Sequence, residues 1–303
     1  MSDFVGILPA LVTPLAEDKS LLTRPFEALL ERVYTAGCHG VYVCGNTGEG
    51  LALPAATRRQ AAEIACRNAP SGVLTVVHVG ANDPAEALAL ADHATQCGAN
   101  AVSSLPPRHA AGFAQVKSYY QDLAAASGVP VLVYYFPDFT KAISTPDQVL
   151  ELCAIPNVVG IKFTDFDLYR LSLLRRAGLP VFNGRDEVLA AGLLMNASGG
   201  IGSFYNVFPK MVVDIYDLAH SGHWAEARAL QHHFNHFIEI VLRFPMIPAL
   251  KTMLSWSGVD YGISLQQTAR LSAEQEQELV AQLRAYAPDL DLLTPEPHAV
   301  RSR

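Results

Sequence analysis

Eight times within its first 221 residues the chain repeats one unit: a short apolar run, a polar or glycine-containing turn, then a segment with helical spacing. The apolar runs are Gly6–Val12, Gly40–Cys44, Val73–Val79, Ala101–Leu105, Val129–Phe136, Val158–Thr164, Leu179–Gly184 and Gly199–Ser203. Most are rich in Val, Ile and Leu and do not alternate with polar residues, which is the pattern of strands buried on both faces of a parallel sheet. Between them, Thr23–Ala36 carries Phe26, Leu29, Leu30 and Val33 at helical spacing. Pro54–Asn68 opens on a proline suited to a first turn, and Asp83-Pro84 starts a helix ending near Cys97. Further helices are expected at 113–126, 146–153, 168–177, 186–195 and 209–221. This alternation predicts an α/β fold, a closed (β/α)8 TIM barrel over residues 1–221. An open doubly wound sheet is the alternative, since strand order is not written in the alternation.

Residues 222–303 have a different texture. His223–Arg243, Pro248–Ser257 and Ser272–Tyr286 each read as helix, followed by a loose tail from Pro288 to Arg303. We expect a C-terminal helical extension packed on the barrel within one structural unit. Half of the 303 residues are hydrophobic, ample for a large core, and no exact repeat or low-complexity linker divides the chain. The net charge is −7 and no Lys/Arg run is present, so a nucleic-acid partner is not expected. No apolar stretch reaches the roughly 18 residues of a membrane span, and the N-terminus lacks the basic start of a secretory signal. Five dispersed cysteines without a C-x-x-C pair read as reduced core residues of a cytoplasmic protein.

In such a barrel, chemistry gathers at the carboxyl ends of the strands. Lys162 is the most informative residue there. The chain has six lysines, and this one interrupts Val158-Val159-Gly160-Ile161 and precedes Phe163. Burial lowers an ammonium pKa and raises the fraction of neutral amine, the form that attacks a carbonyl to give a Schiff base. The alternative is a structural lysine paired with a carboxylate such as Asp186. Tyr134, near the carboxyl end of the preceding strand, is placed to exchange protons with an imine, whereas neighbouring Tyr135 reads as a packed aromatic. Gly45-Asn46-Thr47-Gly48-Glu49-Gly50 offers backbone N–H groups and a hydroxyl to a small carboxylate, or is simply a tight turn.

Two further features read more plainly. Ser198–Ser203 suits a barrel phosphate site but has only Arg185 nearby. His232 and His236 stand one helical turn apart, yet no Glu follows the first as H-E-x-x-H requires. A solvated or interfacial helix face is the better reading, and no metal site is expected.

Taken together, Gly45–Glu49, Tyr134 followed by Pro137, Gly160-Ile161-Lys162-Phe163-Thr164 and Gly199–Ser203 resemble the dihydrodipicolinate synthase/N-acetylneuraminate lyase family, over about residues 4–290. The resemblance implies a class I pyruvate aldolase or lyase acting without a metal or other cofactor, commonly a homotetramer built as a dimer of dimers. It implies that Lys162 forms the pyruvate imine and that Tyr134 relays protons. It further implies that Thr47 and Gly48 hold the pyruvate carboxylate and that the backbone of Ile201 approaches pyruvate. The synthase branch usually has an arginine two residues after the strand-five proline. Here Phe139 stands there, which argues against a second substrate carboxylate at that point. Phe182-Asn183-Gly184-Arg185-Asp186-Glu187 instead looks like the lyase branch, so Gly184, Asp186, Glu187, Thr164 and Ser203 are candidates to hold a hydroxylated tail. An acidic helix start is the plain reading of that loop.

There are two departures from the family pattern. Pro106-Pro107-Arg108-His109 puts His109 where many members have a tyrosine reaching a neighbouring subunit, making it a candidate relay group. Asn46 stands where the lyases often have serine. The expected reaction is reversible cleavage of a 2-oxo sugar acid, of N-acetylneuraminate or 2-keto-3-deoxy type, to pyruvate and an aldehyde. Synthase-like condensation, dehydration by a hydratase-aldolase and non-catalytic oxo-acid binding are the alternatives.

Overall fold

A computed structural model describes residues 4–265 and 268–290. Eight parallel strands alternate with eight helices. The strands are β1 Gly6–Pro9, β2 Gly40–Val43, β3 Leu74–His78, β4 Ala101–Ser104, β5 Val131–Tyr135, β6 Val158–Phe163, β7 Val181–Asn183 and β8 Gly199–Gly202. The helices are α1 Thr23–Thr35, α2 Ala55–Asn68, α3 Pro84–Gln96, α4 Phe113–Ala126, α5 Pro146–Cys153, α6 Leu168–Arg176, α7 Leu189–Leu194 and α8 Pro209–His220. Strand order runs β1-β8-β7-β6-β5-β4-β3-β2. The ring closes where Ala10 bridges Tyr42 in parallel and the Leu11 N–H donates to the Tyr42 carbonyl at 2.9 Å. That closure makes the molecule a TIM barrel rather than an open sheet.

Strand periodicity assigns the side chains. On β5, Val131, Val133 and Tyr135 face outward into the layer shared with the helices, while Leu132 and Tyr134 face the barrel axis. On β6, Ile161 and Phe163 face outward, which turns Lys162 inward. The β5/β6 register sets Tyr134 directly opposite Lys162, so the two side chains stand side by side inside the barrel. Where β1 meets β8, Gly6 pairs with Gly199, and a Cβ on Gly199 would lie 1.9 Å from the Gly6 carbonyl. Only glycine permits that approach.

After the barrel come α9 Trp224–Val241, α10 Met246–Ser255 and α11 Ala273–Tyr286. Phe234, Phe237, Leu250, Met253, Leu279 and Leu283 on these helices join one hydrophobic cluster with α1, α8 and β1. A Ser272/Gln275 capping box starts α11. The expected tail lies almost wholly outside the described residues. Among those described, no helix is long and apolar enough to cross a membrane. The five cysteines are unpaired, with Cys38 and Cys44 buried and Cys66, Cys97 and Cys153 only partly so.

The C-terminal helices also hold the barrel's upper loops. Buried Lys251 of α10 donates to Glu49 at 3.0 Å, and the same carboxylate accepts from the Ser264 hydroxyl and the Leu265 N–H. Gln231 of α9 donates to the Asp186 carbonyl and accepts from the Ala190 N–H, while Asn235 donates to the Glu187 carbonyl. These tethers explain why the helix expected from 186 begins instead as a 3-10 turn, Asp186–Val188, before α7. Lys251→Met leaves Glu49 buried without its cation, so we expect a loss of about 3–5 kcal/mol in denaturant unfolding. An unfolding midpoint equal to wild type would show that the pair is not structural.

Candidate active site

At the mouth of the barrel, Lys162 sits in a cage of rings. Its Nζ lies 4.1 Å from the Tyr42 ring centroid and 4.3 Å from that of Tyr134. Only 3% of Lys162 is exposed. Loss of hydration pushes its pKa down to about 7, an effect that the Asp186 carboxylate partly offsets. The ammonium therefore rests on aromatic faces, while Asp186 acts on it through space. Burial likewise pushes Asp186 up to about 7, against the Phe204 N–H that donates to it at 2.8 Å. Each charge favours the other, less strongly than burial disfavours both.

Tyr134 is pushed up to about 12 by burial, which the neighbouring Thr164 hydroxyl moderates. Its phenol is therefore protonated at neutral pH and enters any reaction as a donor. Its ring stacks on Phe136 and meets His78 and Tyr42 edge-on. Tyr135 packs outward against Phe163, as expected of a core aromatic.

The Gly45–Gly50 loop folds tightly over the end of β2. A Cβ on Gly50 would fall 1.8 Å from the Cys44 carbonyl, while Cys44 and Glu49 both adopt left-handed backbone, at φ 57° and 59°. Such conformations persist only where the surroundings enforce them. Thr13 donates to the Gly48 carbonyl at 2.7 Å, and the Thr47 and Ser203 hydroxyls lie 2.6 Å apart. The loops after β2 and β8, on either side of β1, thus meet through this hydroxyl pair. Asn206 reinforces the β8 side, donating to the Ala10 and Ser203 carbonyls and accepting from the Val12 N–H. Ile201 is buried toward the barrel axis, and Asn46 is exposed at the rim.

On the β6 and β7 side, a Cβ on Gly184 would lie 2.2 Å from the Thr164 hydroxyl, so glycine lets these two strand ends close on each other. Asp186 is buried and Glu187 only partly so. The phosphate reading of the β8 loop does not suit this geometry. A Cβ on Gly202 would lie 2.2 Å from an Asp186 carboxylate oxygen, so the loop faces a buried carboxylate and would repel a phosphate. His109 is exposed on the β4 loop, apart from the lysine cage within this chain. The α9 histidines pack on α11: the His233 ring lies 2.6 Å from the Tyr286 hydroxyl and His236 stacks on that ring, while His232 is exposed.

Several contributors carry no motif in the sequence. Tyr42 and His78 wall the lysine cage, and Arg58 donates to the His78 carbonyl from within the core. Lys251 interrupts an apolar helix just as Lys162 interrupts an apolar strand, and that shared oddity was the available signal. Phe139 is not without a cation either. The Arg108 guanidinium lies 4.4 Å over its ring, and Arg185 pairs with Asp138 while stacking over Phe166.

Known proteins resemble this chain along nearly its whole length. An N-acetylneuraminate lyase of Rhizobium meliloti (strain 1021) is 35% identical over 291 residues, covering 94% of this chain and 95% of that one. One from Citrobacter koseri is 32% identical, covering 95% and 97%. Among solved structures, CdNal from Clostridium difficile in complex with mannosamine superposes with a TM-score of 0.89 at 26% identity, covering 94% and 100%. The N-acetylneuraminate lyase of Fusobacterium nucleatum gives 0.87 at 28% identity, covering 93% and 98%. Residues 3–286 match the model of the dihydrodipicolinate synthetase family, and the chain belongs to that family.

Proposed function

We propose that this chain is a carbon–carbon lyase that reversibly cleaves a 2-oxo sugar acid, of N-acetylneuraminate or 2-keto-3-deoxy type, to pyruvate and an aldehyde. The observation that carries it is the desolvated Lys162 amine held beside the Tyr134 phenol at the carboxyl end of the strands. The neutral amine attacks the C2 carbonyl, and loss of water leaves an iminium. Tyr134 gives its proton to the departing hydroxyl as water leaves, and its phenolate then takes the proton of the tail hydroxyl as the C3–C4 bond breaks and the electron pair enters the iminium, which serves as electron sink. Tyr134 exchanges protons with the reacting atoms, and protonation of C3 followed by hydrolysis releases pyruvate.

Thr47, Gly48 and the Ile201 backbone serve the pyruvate end. Thr164, Gly184, Asp186, Glu187 and Ser203 serve the hydroxylated tail, with Asn46 at the rim. The names of the relatives support this choice of substrate. His109, exposed on its loop, suits a relay into a neighbouring subunit of a homotetramer, and the exposed apolar side chains of Phe166 and Tyr169 suit association. A second reading is favoured by Arg108 and Arg185 on the rim: a 2-oxo acid whose tail bears another carboxylate, as in synthase-like condensation or dehydration. Pyruvate release without loss of water supports cleavage, whereas water loss with the carbon skeleton retained supports dehydration.

Borohydride with pyruvate should trap an adduct mapping to Lys162, and Lys162→Ala should abolish it and lower turnover at least about a thousandfold. An adduct elsewhere would refute the assignment. Tyr134→Phe should still form the adduct while losing about 10²–10⁴-fold in turnover. Because burial lowers the Lys162 pKa to about 7, its ammonium loses its proton as pH rises through that value. We therefore expect kcat/KM to climb through about pH 7 and level off above it. A profile flat from pH 6 to 8, a window of about one unit either side of that pKa, would contradict a depressed lysine pKa.

A further inference from the structure

Away from the mouth, α2 and α3 bring together three metal-ligating side chains of different chemistry. Glu63 lies on α2, His93 in the last turn of α3, and Cys97 caps the carboxyl end of that helix. His93 Nε2 is 2.9 Å from Glu63 Oε1, and Cys97 Sγ is 3.7 Å from each His93 ring nitrogen. One ligand atom from each of the three falls within 4.8 Å of the others, and no second such group occurs among the described residues. The arrangement is built into the helices. His93 and Cys97 stand one turn apart on one face of α3, beside the face of α2 that carries Glu63.

We propose that this cluster is a zinc site, holding Zn²⁺ through the Cys97 thiolate, the His93 imidazole and the Glu63 carboxylate, with water at the fourth position. A mixed S, N and O set suits zinc, whereas magnesium and calcium take oxygen ligands. Zinc bonds of about 2.0–2.3 Å in a tetrahedron separate ligand atoms by roughly 3.3–3.8 Å. Cys97 and His93 already stand at that separation. Glu63 is the ligand that must draw back from hydrogen-bond distance, and its side chain, 53% exposed against 19% for His93, has room to do so. On binding, the Cys97 thiol gives its proton to solvent.

Cys97 precedes Ala101, the first residue of β4, by four positions, so the site lies at the amino ends of the strands, opposite the lysine cage. Zinc there clips α2 to α3 and takes no part in the imine chemistry. The ion is a stabiliser of the scaffold, adding to stability with the logarithm of the free zinc concentration once that exceeds Kd.

The test uses the full chain, stripped of metal by chelator under reducing conditions and titrated with Zn²⁺ against a chromogenic chelator. One zinc per chain is expected. His93→Ala and Cys97→Ser should each weaken binding by more than about a hundredfold, beyond what loss of an outer partner costs. With Co²⁺ as probe, a thiolate-to-metal charge-transfer band should appear in wild type and in Glu63→Gln but not in Cys97→Ser. Zinc should raise the Tm of wild type and, by less, of Glu63→Gln, but not of His93→Ala or Cys97→Ser, while pyruvate release stays the same in every variant and reports an intact barrel. No stoichiometric zinc, wild-type affinity in His93→Ala and Cys97→Ser, or binding that depends on Cys66 in place of Cys97 would overturn the proposal.

Discussion

The removal of one ammonium group from water organises this molecule. Lys162 is turned inward by strand alternation, closed in by Tyr42 and Tyr134, and kept from direct pairing with Asp186. A charge so placed is costly, and the protein meets that cost by making the neutral amine accessible near physiological pH. The same burial that favours the free amine keeps the Tyr134 phenol protonated. Amine and phenol thus derive opposite chemical characters from one shared environment.

The rest of the site is a problem of holding loops still over that centre. Two loops matter most, and each is held from the far end of the sequence. The glycine-rich loop is anchored through Glu49 to Lys251, and the acidic loop through its own carbonyls to Gln231 and Asn235. Those interactions use side chains of the C-terminal helices to satisfy loop backbone and a buried carboxylate, in loops whose Thr47 pairs with Ser203 and whose Asp186 carboxylate accepts from the Phe204 N–H.

Much of this was legible in the sequence because it rests on short-range pattern. Apolar runs and helical spacing gave the barrel, and the lone lysine within β6 gave its centre. What could not be read depends on contacts across long stretches of chain. Closure through Ala10 and Tyr42, the Glu49–Lys251 pair and the tethering of residues 186–188 join segments whose proximity no local periodicity encodes. Phe139 teaches the same lesson in reverse. Its position implied a missing cation, yet Arg108 arrives over the ring from the neighbouring loop. A substitution read along one strand says little about charge when adjacent loops share a rim.

The anchoring of Glu49 by Lys251 also bears on synthesis. The last strand ends at Gly202, and Lys251 follows it by 49 positions. A chain still held on the ribosome with α10 inside the exit tunnel has every strand and Lys162, but not the cation that fixes the glycine-rich loop. The loop is therefore fixed only after α10 has emerged, and a prematurely terminated chain that retains the barrel lacks this means of holding it in place.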